Sequence, residues 1–192
     1  MLKKYQIVAL LLFAVLLGTA FFSTKKNQEA ESRPHIAAEA LAAKFDLLSQ
    51  NGNSSCALSF KDSIPSMADD GRLMGSCCGP MSMHRYSEQV EGLKKYGNIL
   101  VIPPDPYDID AGLAEKLMAY YDMELTPEEQ KAYDYAMENS HEKGPCCCKC
   151  WRWYVYGGLA KHLIRDYNFT GEQLTEVWNL SDGCGGDEEH NH

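Results

Sequence analysis

The chain has 192 residues and a mass of 21.5 kDa; 45% of the residues are hydrophobic, 23% are charged, and the formal net charge is -9. This is the size of one ordinary domain with an extension, and the composition excludes collagen-like, fully disordered and polytopic membrane proteins. A pI of about 5.1, without a long run of Lys and Arg, argues against nucleic acid as a partner. The unusual feature is the presence of eight Cys.

The N-terminus predicts export. Lys3 and Lys4 precede an apolar run over residues 7–22, which matches the basic and hydrophobic regions of a signal peptide and falls just short of the roughly 20 residues of a membrane span. Residues 1–24 are therefore expected to be a cleaved signal peptide or an uncleaved membrane anchor. In both cases the remaining chain is extracytoplasmic, either secreted or anchored to the outer face of the cytoplasmic membrane.

A mostly α-helical fold is predicted for the rest of the chain, with a linker over residues 25–33 and a single small Cys-rich domain over residues 34–184. Apolar residues at helical spacing predict five or six helices. Thr126-Pro127-Glu128-Glu129 is the clearest helix start, because Thr at the N-cap and Glu three residues later form a capping box. The predicted helices cover about residues 34–50, 80–96, 108–123, 127–141, 150–167 and 171–178.

Other segments have weaker signals. Residues 54–75 are not assigned regular structure, and residues 99–102, which precede two Pro residues, are expected to be extended or to form an edge strand. Gly157 and Gly158 lie in mid-helix, which predicts that another part of the chain packs closely there. Residues 185–192 form an acidic tail with two His, expected to be solvated.

The densest chemical feature is the run Pro-Cys-Cys-Cys-Lys-Cys at residues 145–150, which contains the C-x-x-C pair Cys147 and Cys150. The run precedes a predicted helix, whose N-terminal N–H groups and macrodipole stabilise thiolates. Lys149 and Arg152 add positive charge nearby. Because a thiolate is both the metal ligand and the nucleophile, this run suits metal binding or redox chemistry.

A second pair, Cys77 and Cys78, also precedes a predicted helix. Met81 and His84 lie one turn apart on that helix and are possible thioether and imidazole ligands; the alternative is that Met83 belongs to the core and Met81 to the surface. Sulfur ligands select soft transition metals, with Cu(I) favoured and Zn possible, and the sequence offers no evident carboxylate cage for hard cations.

Three hypotheses follow. The first is an exported protein that sequesters a soft metal or delivers it to a transfer partner, without a required catalytic step. The second is a thiol–disulfide redox protein in which Cys147 and Cys150 cycle with a thiol-exchange partner. The third is a structural protein with disulfides, which is arithmetically available but sterically awkward for adjacent Cys. The predicted metal ligands are Cys146, Cys147, Cys148, Cys150, Cys77 and Cys78.

Two further residues are considered as possible ligands. Cys184 lies in a Gly-rich loop that could reach either group of Cys, whereas His162 lies about 18 Å from Cys150 along one helix axis and is expected to be a hydrogen-bonded core residue. Phosphate-binding Gly loops, H-E-x-x-H and G-x-S-x-G are missing from the sequence, and Cys150 precedes Trp151 instead of the His of a covalent haem site.

Residues 145–150 resemble the motif of the PCYCGC (CYCXC) family of secreted bacterial proteins. Cys147 stands where the family has Tyr, and Lys149 stands where it has Gly. The resemblance covers this motif and the flanking helical region from about residue 126 to residue 184. It implies an exported, membrane-associated protein in which Cys146, Cys148 and Cys150 carry redox-active or soft-metal chemistry, since some members have selenocysteine in the motif.

Overall fold

The computed structural model describes residues 37–68 and 70–186, and within them it confirms a mostly α-helical fold. The predictions for residues 1–24, for the linker 25–33 and for the tail beyond residue 186 lie outside the described residues. The chain divides into two compact units, residues 1–44 and 45–192. In the first unit the described residues, 37–44, are helical.

The described part of the chain contains seven α-helices and one antiparallel pair of short strands. Two 3₁₀ turns, Ile64–Ser66 and Lys94–Tyr96, follow α2 and α3. Leu73 of the first strand is opposite Ile109 of the second, and both side chains are buried. The elements are α1 (37–50), α2 (Leu58–Ser63), β1 (Arg72–Met74), α3 (Met83–Leu93), β2 (Asp108–Asp110), α4 (Ala111–Ala119), α5 (Pro127–Asn139), α6 (Trp151–Tyr167) and α7 (Gly171–Ser181).

Helices with strong capping signals begin where the sequence predicts. The Glu129 N–H donates to the Thr126 hydroxyl and the Thr126 N–H donates to the Glu129 carboxylate, so the capping box of α5 is complete. Thr170 and Gln173 make the same reciprocal pair at the start of α7. These contacts are local in sequence, which is why the pattern predicts them.

Several predicted boundaries are wrong. Residues 58–66 and 72–74 have regular structure that was not predicted, and residues 99–102 form a turn instead of a strand. Residues 108–110, predicted to begin a helix, form β2 instead. Asp110 ends this strand, and as the N-cap of α4 its carboxylate accepts a hydrogen bond from the Leu113 N–H, so the helix begins only at the next residue. In α1, Leu47 is exposed, whereas the adjacent Leu48 is buried, so only part of the apolar residues at helical spacing in this helix face the core.

The start of α3 lies three residues later than predicted, at Met83. Pro80 does not begin the helix, because its carbonyl oxygen accepts a hydrogen bond from the Gly186 N–H at 2.7 Å. The Gly79 N–H donates to the Cys184 carbonyl oxygen at 2.8 Å. Residues 79–80 therefore pair with a distant loop instead of forming a first helical turn.

Helix α6 is the central element of the second unit and contacts α4, α5 and α7. Trp151, Val155 and Leu159 on this helix are fully buried. The close packing predicted at the two Gly residues is confirmed: a Cβ at Gly158 would overlap the carbonyl oxygen of Leu117 in α4, and one at Gly157 would lie 2.9 Å from the Tyr121 ring. This packing fixes α6, whose N-terminus directly follows residues 145–150.

The helices within residues 37–68 and 70–186 are too short or too polar to cross a membrane.

Candidate metal centre

All eight Cys of the chain lie together in one place, which we call the thiol cluster. They come from four segments: the segment before α2, the loop between β1 and α3, the run preceding α6, and the loop after α7. Each belongs to a group of three whose sulfur atoms all lie within 4.8 Å of one another, and all eight are free thiols. The thiol cluster consists of Cys56, Cys77, Cys78, Cys146, Cys147, Cys148, Cys150 and Cys184.

Backbone pairing between two loops brings the Cys77–Cys78 pair and Cys184 together. The Cys77 N–H donates to the Gly183 carbonyl at 3.3 Å, and the Cys78 N–H donates to the Cys184 carbonyl at 3.2 Å. Gly185 has a φ of 82°, and a Cβ there would overlap the carbonyl oxygen of Gly79. A Gly is therefore required at residue 185 for the two loops to meet.

The inner part of the cluster is built around Cys184. Its Sγ atom lies 3.3 Å from Sγ of Cys146 and 3.1 Å from Sγ of Cys147. Cys146 in turn lies 3.7 Å from Cys150, sulfur to sulfur. Cys146, Cys150 and Cys184 are all buried, so this end of the cluster is closed to solvent.

The outer part is built around Cys78, which is exposed. Its Sγ atom lies 2.7 Å from Sγ of Cys56, 3.7 Å from Sγ of Cys77 and 3.9 Å from Sγ of Cys147. Four thiolates around one tetrahedral Zn at the usual Zn–S distance of about 2.3 Å are about 3.8 Å apart. The separations around Cys78, from 2.7 to 3.9 Å, thus do not greatly exceed the separation of ligands that share an ion.

A buried cation lies beside these thiols. Arg152, in the first turn of α6, is 1% exposed and donates hydrogen bonds to two neutral acceptors, the carbonyl oxygens of Pro106 at 2.6 Å and Gly75 at 3.0 Å. Burial alone would lower the pKa of Arg152. The electrostatic influence of the Tyr156 hydroxyl and of the thiols outweighs burial, so the pKa of Arg152 is raised. The guanidinium is therefore a fixed positive charge next to the cluster.

The thiols ionise unequally because they donate hydrogen bonds to one another. Thiol donors from Cys146 and then Cys184 stabilise the Cys147 thiolate and hold the pKa of Cys147 well below its usual value. The same contacts, with Cys146 and then Cys147, raise the pKa of Cys184. For Cys77, the contact with Cys146 acts to raise the pKa, but donors from Cys150 and Cys184 outweigh it and lower the pKa to about 6.

All six Cys predicted as metal ligands lie in the thiol cluster, and two more join them. Cys56 is a single Cys in a segment without a predicted element, so no local pattern identifies it. Cys184 occupies a buried position between the two predicted groups. The predicted redox pair, Cys147 and Cys150, is not brought together as a close sulfur pair. Cys147 instead has its close sulfur contact with Cys184, and Cys150 has its close sulfur contact with Cys146.

His84, the predicted imidazole ligand, does not join the cluster. His84 is exposed and its Nε2 lies 3.3 Å from the Glu88 carboxylate, while Met83 is exposed rather than part of the core. Met81 accepts a hydrogen bond from the Ser49 hydroxyl. Within the described residues, every group of three or more His, Cys, Asp or Glu that could hold an ion consists of Cys alone.

His162 is partly buried rather than a core residue. Its ring stacks on the Tyr120 ring with a centroid separation of 4.4 Å, and its Nδ1 lies 2.5 Å from the Asp166 carboxylate. His162 is outside the groups of possible ligands within the described residues.

Comparisons of the chain with protein-family models, with curated proteins and with solved structures find no match.

Proposed function

We propose that this protein is an exported soft-metal-binding protein that sequesters or delivers Cu(I) through the thiol cluster. One observation carries the proposal: eight free thiols from four segments lie together, and sulfurs in direct contact are 2.7 to 3.9 Å apart. Disulfides are not needed to hold a helical core of this size, so a structural role alone does not account for so many converging thiols.

The donor set favours a soft ion. Hard cations such as Ca²⁺ and Mg²⁺ require oxygen ligands, whereas thiolates select Cu(I) and Zn. Zn in structural sites is almost always held by four ligands in a tetrahedron. Cu(I) is stable with three thiolates, which matches the groups of three sulfurs in the thiol cluster. Cu(I) is therefore the preferred cargo, and Zn is its competitor in the tests below.

The charge of Arg152 supports an anionic cluster. A buried cation is costly unless an anion compensates it, and both of its hydrogen-bond acceptors are neutral. Each Cu(I) ion brings one positive charge, so a cluster in which thiolates outnumber ions has a net negative charge. That negative charge would offset the guanidinium.

Delivery requires a place where a partner can exchange ligands. Cys78 is the exposed member of the cluster, and Cys56 and Cys148, which share a group of three with it, are partly exposed. A metal-transfer protein that offers its own thiolates or thioethers would exchange ligands at this end. Export, and the membrane association implied by the PCYCGC resemblance, belong to the same proposal.

A second candidate function is thiol–disulfide exchange outside the cytoplasm. The sulfurs of Cys147 and Cys184 are 3.1 Å apart, which favours it. In this reaction the two thiols would pass two electrons and two protons to the disulfide of a partner, leaving a Cys147–Cys184 disulfide and two partner thiols.

Cu(I) uptake by the reduced full-length chain in mild detergent tests the first function. The chain is titrated against a chromophoric Cu(I) chelator, and we expect it to remove Cu(I) from the chelator until a defined ratio is reached. A variant with Cys146→Ser, Cys148→Ser and Cys150→Ser should lose at least tenfold in apparent affinity, because it removes three of the eight thiolates.

The matched control is Met83→Leu, which removes an exposed thioether sulfur on α3 and should leave uptake unchanged. Helix content by circular dichroism checks that each variant folds. Uptake by the wild-type chain no greater than that of the triple Ser variant would reject the metal function. Rapid catalysed reduction of a disulfide substrate, without Cu(I) uptake, would support the redox candidate instead.

A further inference from the structure

We infer that the thiol cluster binds several Cu(I) ions in one thiolate-bridged assembly that uses all eight Cys, including Cys56 and Cys184. The inference rests on the proposed function and specifies the form of its cargo. It follows from the number of sulfur donors, from how they are shared, and from how closely they pack.

The number of donors exceeds what one ion can use. A single soft ion takes at most four thiolates. The eight thiols lie in overlapping groups of three. A single ion would therefore leave at least half of them without a ligand role. Either two separate sites or one shared site is required.

The sulfurs do not divide into two separate sites. Cys56 forms one close group with Cys77 and Cys150 and another with Cys78 and Cys148. The outer and inner Cys are thus linked through a shared sulfur. Because a thiolate sulfur has more than one lone pair, it can bind two ions at once, and such sharing is the geometry of bridging ligands.

Cys184 shares groups in the same way at the buried end. It lies within 4.8 Å of Cys146 and Cys147 in one group and of Cys77 and Cys78 in another. The run preceding α6 and the loop before α3 therefore meet through Cys184. A bridging role for this residue would join ions held by the two predicted groups of ligands.

The close packing of the sulfurs argues against a cluster that contains inorganic sulfide. In an iron–sulfur cluster the Cys thiolates surround a core of iron and sulfide, which holds them apart from one another. Here protein sulfurs are 3.1 Å apart between Cys147 and Cys184 and 3.7 Å apart between Cys146 and Cys150. Ions that lie between protein thiolates fit this arrangement better than a preformed inorganic core.

Native mass spectrometry of the reduced full chain, loaded stepwise with Cu(I) from its chelator complex, tests the inference. Eight thiolates that each bridge two ions supply sixteen Cu–S bonds, and three bonds per ion then give about five Cu(I) per chain. We expect the metal-free chain and a form with about five ions to dominate at half loading, because the first ion orders the ligands for the next. X-ray absorption of the loaded chain should show Cu–Cu scattering.

The outcomes separate this inference from the proposed function. One ion per chain, or two ions without Cu–Cu scattering, would overturn the bridged assembly while leaving Cu(I) binding intact. No bound copper would reject the proposed function itself.

Variants at two of the shared residues, Cys56 and Cys184, give a second test. Cys56→Ser and Cys184→Ser should each lower the number of bound ions by at least one and should weaken cooperative loading, while Met83→Leu should change neither. Cys56 is only partly buried, so its variant remains informative if Cys184→Ser does not fold. Unchanged stoichiometry and cooperativity in the folded variants would contradict a bridging role.

Discussion

Replacing Gly158 by Ala should lower the free energy of unfolding by about 3 kcal/mol, because the new methyl group has no space. A Cβ at this position would overlap the carbonyl oxygen of Leu117, which is backbone of α4 and cannot move away alone. Helices α4 and α6 would have to separate along their crossing. The gain of about 1 kcal/mol in helix propensity from Gly to Ala is too small to offset this loss.

Gly157→Ala is the matched control, since it makes the same chemical change one residue earlier. Its Cβ would meet the side chain of Tyr121 at 2.9 Å, and a ring can rotate away. We expect a loss of about 1 kcal/mol or less, measured by urea denaturation of both variants. Equal stability of the Gly158→Ala variant and the wild-type chain would contradict the close crossing of α4 and α6.

Loading with Cu(I) should raise the melting temperature of the second unit by about 10 °C. The thiol cluster joins four segments of the chain, and these segments separate on unfolding. A ligand present at about a thousand times its dissociation constant stabilises a fold by about 4 kcal/mol, and each kcal/mol is worth about 2–4 °C at this size. Differential scanning calorimetry with and without Cu(I) measures the shift.

The triple Ser variant at Cys146, Cys148 and Cys150 is the control for this shift. Its melting temperature should rise less with Cu(I) than that of the wild-type chain, because five thiols remain and the affinity is at least tenfold lower. A strong Cu(I) chelator should return the wild-type chain to its metal-free value. A wild-type melting temperature that does not change on loading would show that the ions do not join the four segments.

The elements predicted well from sequence are those with local signals. Helix α5 has a capping box formed by Thr126 and Glu129, three residues apart, and α6 has a long apolar stripe with two Gly at its crossing. Strand β2 was predicted as helix because Ile109 fits an apolar helical stripe equally well. Its pairing with β1 depends on residues more than thirty positions away, and such pairing has no local pattern.

The candidate site shows the same division. The groups of thiols at Cys77–Cys78 and at residues 146–150 are visible in the sequence because their members are adjacent. The sequence does not show that the two groups meet in one cluster. Their meeting depends on backbone hydrogen bonds between residues 77–79 and 183–184, about a hundred positions apart. Cys56, which reaches Cys78 across twenty-two positions, had no neighbouring Cys to mark it.

Counting the thiols that Cu(I) protects from alkylation tests the central claim most directly, because it reports on each Cys of the cluster. The metal-free, reduced full chain is alkylated for long enough to label all eight Cys, and the loaded chain is then treated for the same time and analysed by peptide mass spectrometry. The account predicts that loading protects all eight thiols, Cys56 and Cys184 included. Labelling of the same eight thiols at the same rate after loading would contradict it.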